Sequence, residues 1–255
     1  MRASIPHRPP PDKRARARRR VAGSGGFLVD SARIRNDMPR LPRHILFDWN
    51  GTLQDDVRAA VAGTNALLRD QGSPEITLER YREVFSFPAR SSYAALGIDL
   101  EHHDWDALCD RFFSVFASHP VDLFPGATGA LRALREAGAT LSIVTSSEQR
   151  SVERALERYG IRDAFDAVSG QSDASAGSKV GQALALFRGL GIGPEEACMV
   201  GDTGHDKEVA DEIGCACVLL ASGYESRARL AARGAPVLDS VAGLPAHFGL
   251  AENRG

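Results

Sequence analysis

The stretch HILFDWNGTLQDD, residues 44–56, decides the fold. Its first four residues form a short apolar run that leads directly into Asp48-Trp49-Asn50-Gly51, and this order predicts a buried strand that ends in a turn. Parallel α/β sheets bind their ligands at the carboxyl ends of strands. Asp48 therefore stands where such a sheet would carry its chemistry.

The residues after this strand divide into an all-helical segment and an alternating segment. Between residues 57 and 120 strand signals are absent, and the pattern predicts helices at 57–70, 78–85 and 103–117. In the last of these, Leu108, Phe112 and Phe116 recur on one apolar face. From residue 124 onward, helices predicted at 127–138, 151–160, 179–191 and 207–214 alternate with strands predicted at 139–145, 164–168, 197–200 and 215–220. Such alternation is typical of βαβ units and a parallel sheet.

The predicted fold class is therefore α/β. We expect a Rossmann-like parallel sheet core with helices on both faces, and a small all-helical cap domain inserted after the first strand. The core is predicted to comprise residues 38–56 and 121–255, and the cap residues 57–120.

Polar side chains follow three of the predicted strands. Asp48 ends the first strand, Thr145-Ser146-Ser147 ends another, and Gly201-Asp202-Thr203-Gly204-His205-Asp206 ends a third. Lys179 opens the helix that lies between the last two. Carboxylates, a hydroxyl and one cation at one sheet edge suit a hard, oxygen-liganded cation such as Mg²⁺ that bridges to a phosphate.

Each of these features has an ordinary structural explanation when it is taken alone. Asn50-Gly51 is a common turn pair, Thr145 is able to start a side-chain turn, and Lys179 suits the exposed start of a helix. Asp202 and Asp206 are acceptable near a helix N-terminus because they complement its dipole. The joint order of all four features at strand ends favours a site.

The sequence resembles the haloacid dehalogenase superfamily of hydrolases, most closely its phosphoglycolate-phosphatase-like branch, over residues 44–247. The family's first motif, Asp-X-Asp-Gly-Thr-Leu with a V-D-S-like continuation, matches DWNGTLQDD at 48–56. Its second motif matches LSIVT and hence Thr145, its third-motif lysine is similar to Lys179, and its fourth motif matches Gly201–Asp206.

The resemblance implies a role for each of these residues. Asp48 is expected to be the nucleophile that forms an aspartyl-phosphate, and to bind Mg²⁺ through its other oxygen. The backbone carbonyl of Asn50 and the carboxylate of Asp202 are expected as further metal ligands, with Asp206 holding the site through water or through its neighbours. Thr145 and Ser146 are expected to bond the phosphoryl oxygens, and Lys179 to neutralise transition-state charge.

One position departs from the family pattern. Phosphatases of this family usually carry a second Asp where this chain has Asn50, and that Asp protonates the leaving oxygen and then deprotonates the hydrolytic water. Asn cannot exchange protons, and a general acid/base contributes about 10²–10⁴-fold to rate. Three explanations remain open: another group supplies the proton, the substrate has a good leaving group, or the protein hydrolyses little.

Other candidate residues have weaker patterns. Phe85–Arg90 is interpreted as a substrate loop of the cap, in which Arg90 either pairs with a carboxylate or second phosphate or is simply solvated. His102-His103 and Cys215-Ala216-Cys217 lack partner pairs at metal-ligand spacing, so we expect surface and strand-core roles. His205 is expected to face solvent in a turn.

Charge is distributed unequally along the 255 residues. Residues 1–37 carry ten Arg and Lys against three Asp, while the whole chain has a net charge of −2, so the remainder is acidic. The leader has three consecutive prolines and no periodicity, and it lacks the aromatic residues of a nucleic-acid arm and the apolar run of an export signal. We expect a disordered tail, or upstream sequence read as coding with Met38 as the working start.

The function predicted from these observations is a Mg²⁺-dependent hydrolase that removes phosphate from a small phosphorylated metabolite. The alternative is a catalytically weak relative that binds metal and phosphate for regulation or protein interaction. Phosphonate cleavage is disfavoured because residues 57–120 contain no Lys for a Schiff base.

Four cysteines without an export signal indicate reduced thiols and a cytoplasmic location, and no apolar run approaches the ~18 residues of a membrane span. We expect no nucleic-acid or membrane partner; oligomeric state is left open.

Overall fold

A computed structural model describes residues 40–171 and 178–250. The basic leader at 1–37 and the working start at Met38 lie outside the described residues. The first half of the described chain contains β1 (His44–Phe47), β2 (Gln54–Asp55), α1 (Val57–Asp70), α2 (Leu78–Val84), α3 (Ala89–Ala95), α4 (Trp105–Phe116), β3 (Asp122–Leu123), α5 (Ala127–Glu136) and β4 (Thr140–Glu148). The second half contains α6 (Gln149–Tyr159), β5 (Ala167–Gln171), α7 (Lys179–Leu190), β6 (Ala197–Gly201), α8 (Gly204–Ile213), β7 (Ala216–Leu220), α9 (Arg227–Ala231), β8 (Val237–Leu238) and α10 (Leu244–His247).

A six-stranded sheet in the order β5-β4-β1-β6-β7-β8 forms the centre of the fold, and all its strand pairs are parallel. The predicted α/β class with a parallel sheet is thus confirmed. β1 lies between β4 and β6, with Phe47 level with Ile143 and Val200. Because the strands run in one direction, the ends of β1, β4 and β6 meet at one edge of the sheet.

The sheet is covered on both faces. Ile45 and Phe47 pack into one apolar cluster with residues of α5 and α6, whereas Leu46 packs into a second cluster with residues of α7 and α8. All three β1 side chains are fully buried. This alternation explains why a strand of a doubly covered sheet reads as a continuous apolar run.

The segment between β2 and β3 is helical. α1, α3 and α4 pack around a separate small cluster that contains Leu67, Tyr93 and Leu108. α2 packs on α1 through another cluster, which contains Tyr81 and Val57. β2 and β3, which flank the segment, pair antiparallel as two-residue strands that the sequence did not predict. The domain boundaries at 56/57 and 120/121 stay predictions. No helix in the described ranges is long and apolar enough to span a membrane.

Three local expectations were wrong. Residues 89–95 form α3 rather than part of a connection, because Pro88 precedes the helix and Ser92 binds the Ser86 backbone in both directions. β4 continues beyond Thr145 to Glu148, with a shift of register against β5 after Val144. β5 begins at Ala167, since residues 162–164 form a 3-10 turn.

Two leucines in core helices differ in burial and give a test of this packing. Leu156 on α6 is fully buried, whereas Leu184 on α7 is 38% exposed. We expect Leu156→Ala to lower the free energy of unfolding by about 2–5 kcal/mol, because it removes buried contacts and leaves a cavity. Leu184→Ala should cost under ~1 kcal/mol. Urea denaturation of both variants measures this, and equal losses would contradict the packing described.

Candidate active site

Asp48 lies directly beyond β1 at the sheet edge. Its backbone N–H donates to the carbonyl of Val200 on β6 at 2.9 Å, which continues the sheet pairing by one residue. Its side chain is 14% exposed and lines a cavity of about 260 Å³ together with Thr145, Lys179 and His205. A carboxylate fixed by the sheet thus faces open space.

Lys179 connects two of the carboxylates. It is the first residue of α7, whose N-cap Ser178 accepts from the N–H of Gly181. Its Nζ lies 2.8 Å from Asp48 Oδ1 and 2.6 Å from Asp206 Oδ1. Burial would lower the pKa of Lys179, but the two carboxylates raise it above its ordinary value, so the side chain stays cationic.

Asp206 is held on all sides. In the first turn of α8 its Oδ2 accepts from the N–H groups of Asp202 and Thr203 and from the hydroxyl of Thr203, at 3.1, 3.0 and 2.8 Å. Burial would raise the pKa of Asp206, but the ammonium of Lys179 and these donors hold it below its ordinary value. Asp206 is fully buried and therefore supports the site from within.

Asp202 has neutral donors but no cation. Its Oδ1 accepts from the hydroxyl of Thr52 at 2.8 Å and its Oδ2 from the N–H of Tyr224 at 2.7 Å. Within the described ranges no Lys or Arg forms an ion pair with it. Burial, followed by repulsion from Asp206 and Asp48, raises its pKa well above the ordinary value.

Glycine backbones close around Asp202. Gly51 has a φ of +73°, and a Cβ there would lie 2.3 Å from Asp202 Oδ2; a Cβ on Gly223 would lie 2.1 Å from the same atom. Only glycine allows both the left-handed turn and this close approach. The turn after β1 and the loop after β7 thus both pack against this carboxylate.

Oxygen atoms of Asp48, Asp202 and Asp206 lie within 4.8 Å of one another. The three carboxylates have one ammonium group among them, that of Lys179. Asp202 lies near the other two carboxylates and, among the described residues, has no cation beside it to balance its charge. Hard oxygen ligands that carry excess negative charge fit a divalent cation. The arrangement is a candidate metal site; the predicted role of the Asn50 carbonyl stays a prediction.

The end of β4 supplies hydroxyl groups. Thr145 is buried, and its Oγ1 accepts from the N–H of Ser147 at 3.1 Å. Ser146 lines the cavity beside Asp48. Ser147, which the sequence analysis did not select, donates its hydroxyl to Asn50 Oδ1. The roles predicted for Thr145 and Ser146 toward a phosphoryl group stay predictions.

The side chain of Asn50 is held at both ends. Its Oδ1 accepts from Ser147, while its Nδ2 donates to Asp56 Oδ2 and, at 3.4 Å, to Gln54 Oε1. Because the amide has no proton to exchange, Asn50 acts here as a hydrogen-bonding bridge.

Asp56 is a functional-site residue that the sequence analysis missed. It precedes α1, yet its side chain does not cap that helix and instead accepts from Asn50 and from the N–H of Gly51 at 3.0 Å. Burial raises its pKa to about 7, although bonds from Asn50 and Tyr224 oppose the shift. The sequence feature that could have identified Asp56 is its position at the end of the V-D-S-like segment, where the family pattern has Ser.

Tyr224 connects the sheet edge to the helical segment. Its ring lies 4.8 Å from that of Phe85 and 6.0 Å from that of Tyr81, between ring centroids. The loop around it is also bound by α2, because Arg82 donates to the carbonyl oxygens of Gly223 and Ser222 at 2.8 and 2.5 Å. Apart from Phe85, which lies in the predicted substrate loop, the sequence analysis selected none of these residues, since their contacts join distant segments.

The remaining candidates lie in three kinds of place. His205 is not in a solvent-facing turn as expected: it is the second residue of α8 and stacks on Phe87, which lies between α2 and α3, with ring centroids 4.9 Å apart. Arg90 is exposed and its guanidinium lies 5.0 Å from the Trp105 ring centroid, so its predicted substrate role stays a prediction. His102 and His103 are exposed, and Cys215 and Cys217 are buried free thiols at β7.

A second, larger cavity adjoins the first. It measures about 700 Å³ and is bounded by α1 to α4 and by the ends of β1 and β4. Asn50, Phe85, Ser146, Ser147 and Tyr224 line both cavities. The space beside Asp48 therefore opens into the space under the helical segment.

Comparisons with known proteins agree with this geometry. A family model described as haloacid dehalogenase-like hydrolase matches residues 45–220. Phosphoglycolate phosphatase 1 of Pseudomonas aeruginosa is 31% identical over 209 residues, which cover 78% of this chain and 76% of that protein. Tyrosine-protein kinase PtkA of Mycobacterium tuberculosis is 31% identical over 187 residues, or 72% of this chain; the match spans only 63% of that relative's length.

Among solved structures, a haloacid dehalogenase-like protein of Agrobacterium tumefaciens superposes with a TM-score of 0.69. The superposition covers 81% of this chain and 97% of that one at 21% identity. At this identity the similarity supports the fold alone.

The raised pKa of Asp56 predicts a pH dependence of stability. Between pH ~4 and ~7 the folded state keeps a proton on Asp56 that the unfolded state has released, so stability should fall as the pH rises through this window. The slope from one proton is at most ~1.4 kcal/mol per pH unit. We expect Asp56→Ser to remove this contribution, measured as the difference in urea-unfolding free energy from wild type at each pH. A pH-independent difference would contradict the assignment.

Proposed function

This chain belongs to the haloacid dehalogenase-like hydrolase family, and we propose that it hydrolyses the phosphate monoester of a small metabolite through an aspartyl-phosphate at Asp48 with Mg²⁺ as cofactor. The observation that carries the proposal is the position of Asp48. Of the three clustered carboxylates, it lines the cavity, whereas Asp202 and Asp206 are fully buried. A nucleophile must reach its substrate, and this exposure selects Asp48.

The reaction divides into two displacements at phosphorus. A carboxylate oxygen of Asp48 attacks, the bond from phosphorus to the ester oxygen breaks, and the leaving oxygen departs with the electron pair. Water then attacks the phosphorus of the acyl phosphate, which releases inorganic phosphate and restores Asp48. Lys179, bonded to Asp48 Oδ1 at 2.8 Å, is placed to neutralise the charge on the transferred group.

The cation is proposed to bind to Asp48 and Asp202, with Asp206 behind them. Support comes from Asp202, a buried carboxylate with two carboxylate neighbours and no ion-pair partner in the described ranges. When bound, Mg²⁺ supplies charge neutralisation and orientation of the phosphoryl oxygens. Thr52 and the N–H of Tyr224 fix both oxygens of Asp202, which orients this ligand before the ion arrives.

A second candidate function rests on Asn50. Without a proton-exchanging side chain at this position, the chain is able to hold metal and phosphate while turning over little, and a regulatory or interaction role would follow. Asn50 is the residue that separates the two candidates, because it changes the chemistry and leaves the metal and lysine cluster in place.

The turnover test uses the full chain with Mg²⁺ and a panel of phosphate monoesters. We expect wild type to release inorganic phosphate, and Asp48→Asn to reduce kcat to the background rate, since the amide cannot form the phosphoenzyme. Phosphate release is followed colorimetrically. No turnover above the Asp48→Asn control on any ester would contradict the proposed activity.

Asn50→Asp completes that experiment. For alkyl esters we expect kcat to rise by about 10²–10⁴-fold, because the new carboxyl protonates the leaving oxygen. If wild type is inactive and Asn50→Asp alone gives turnover, the second candidate function is favoured.

Metal binding is testable without turnover. A cation that binds the folded state at 100 times its Kd adds about 2.7 kcal/mol of stability, so Mg²⁺ should raise the Tm of wild type. We expect Asp202→Asn to abolish the rise, while Asp239→Asn, whose side chain is 98% exposed, should keep it. Differential scanning fluorimetry measures both. An unchanged Mg²⁺ shift in Asp202→Asn would refute the site.

A further inference from the structure

We propose that the substrate is an aryl phosphate monoester whose aromatic ring occupies the 700 Å³ cavity beneath the helical segment while its phosphate lies against Asp48. The inference rests on the proposed function and names the substrate class for the same site.

The lining of this cavity is aromatic. Its volume lies in the range of pockets that enclose drug-sized molecules. Rings reach it from the turn after β1, the helical segment and the loop after β7, among them Trp49, Tyr93, Trp105, Phe112, Phe113 and Tyr224. Aromatic walls favour a flat, apolar guest, because ring pairs gain offset-stacked and edge-to-face contacts in addition to apolar burial.

The charges around the cavity oppose an anionic guest. Among the described residues that line it there is no Lys, Arg or His, whereas two acidic residues, Asp56 and Glu148, do line it. Arg90, the candidate for pairing with a carboxylate, is exposed and lies on the Trp105 ring outside the lining. A leaving group that carries a carboxylate, such as glycolate, would enter this space without a counter-charge.

The two cavities share the wall at which the ester oxygen would lie. Asn50, Ser146 and Tyr224 line both, so the space for a phosphate beside Asp48 adjoins the larger cavity, where the rest of the ester would lie. A ring attached through that oxygen would face the aromatic lining of the larger cavity.

The chemistry of the leaving group agrees with Asn50. A phenol has a pKa of about 10, so its oxide departs without protonation much more readily than an alkoxide, which is nearer to water at ~15.7. The bond from phosphorus to the aryl oxygen therefore breaks with the electron pair on oxygen, and the phenoxide takes its proton from water. The aromatic rings of the lining and the amide of Asn50 are different chemical features of one site, and both favour the same ester.

Binding is tested with two hydrolysis-resistant isosteres, so that leaving-group reactivity does not enter. Benzylphosphonate replaces the ester oxygen of phenyl phosphate with CH₂, and 3-phosphonopropionate does the same for phosphoglycolate. Both tryptophans of the chain, Trp49 and Trp105, line the cavity, so intrinsic fluorescence reports its occupancy. With Mg²⁺ present, we expect benzylphosphonate to bind at least ten times more tightly. Equal binding, or tighter binding of 3-phosphonopropionate, overturns the inference.

A charge placed in the cavity gives the matched variant. Phe113 lines the cavity and is 60% exposed, so Phe113→Arg should fold. We expect it to lower the preference for benzylphosphonate by at least tenfold. The control is Leu184→Arg, at a 38%-exposed leucine of α7 outside both cavities, which should leave the preference unchanged. A preference that survives Phe113→Arg places the ring elsewhere and refutes the proposal.

Turnover of the two hydrolysable esters, phenyl phosphate and phosphoglycolate, separates this inference from the proposed function. Higher kcat/KM for phenyl phosphate than for phosphoglycolate supports both. Turnover of phosphoglycolate with the higher kcat/KM keeps the proposed function and overturns the aryl assignment. No turnover of either ester above Asp48→Asn overturns the proposed function, and the substrate assignment with it.

Discussion

The clustering of three carboxylates, two of them fully buried, beside one ammonium group is the constraint on which the rest of this structure depends. Lys179 Nζ lies within 2.8 Å of Asp48 and Asp206, and the third carboxylate, Asp202, has only neutral donors. Buried charge is costly unless it is paired or metal-bound. The cluster persists because parallel strands bring the ends of β1 and β6 to one edge and because α7 and α8 begin beside them. The fold therefore concentrates negative charge where a divalent cation would relieve it.

The helical segment is tied to this cluster through one loop. Gly223 and Tyr224 pack on Asp202, and the same loop accepts two hydrogen bonds from Arg82 of α2 and packs the Tyr224 ring against Phe85. A carboxylate of the candidate metal site and the wall of the larger cavity thus share a backbone segment. α2, the wall of the larger cavity and the loop that bonds to Asp202 are therefore in direct contact.

The sequence predicted the elements that have strong local signals. β1 and α1 have the predicted bounds, and the motif positions at strand ends lie at one sheet edge because parallel topology leaves them no other place. α3 was missed because seven residues with two serines carry little periodicity, and its stability comes from Ser92 bonding back to Ser86. The positions of Ser147 and Asp56 depend on β4 continuing past Thr145 and on a side chain turning away from its helix. Periodicity reveals neither fact, although the family motif did mark the position of Asp56.

The contacts of Asn50 change the interpretation of its role. From the sequence it is a missing proton donor; in the structure it bridges Ser147 and Asp56 and forms part of the wall between the two cavities. An Asp at this position would place a second carboxylate against Asp56, whose pKa burial already raises to about 7. The amide avoids that repulsion and supplies a donor to Asp56 instead. Asn50 and Asp56 are therefore mutually consistent, and the chemistry that this pair gives up is the protonation that an aromatic leaving group does not need.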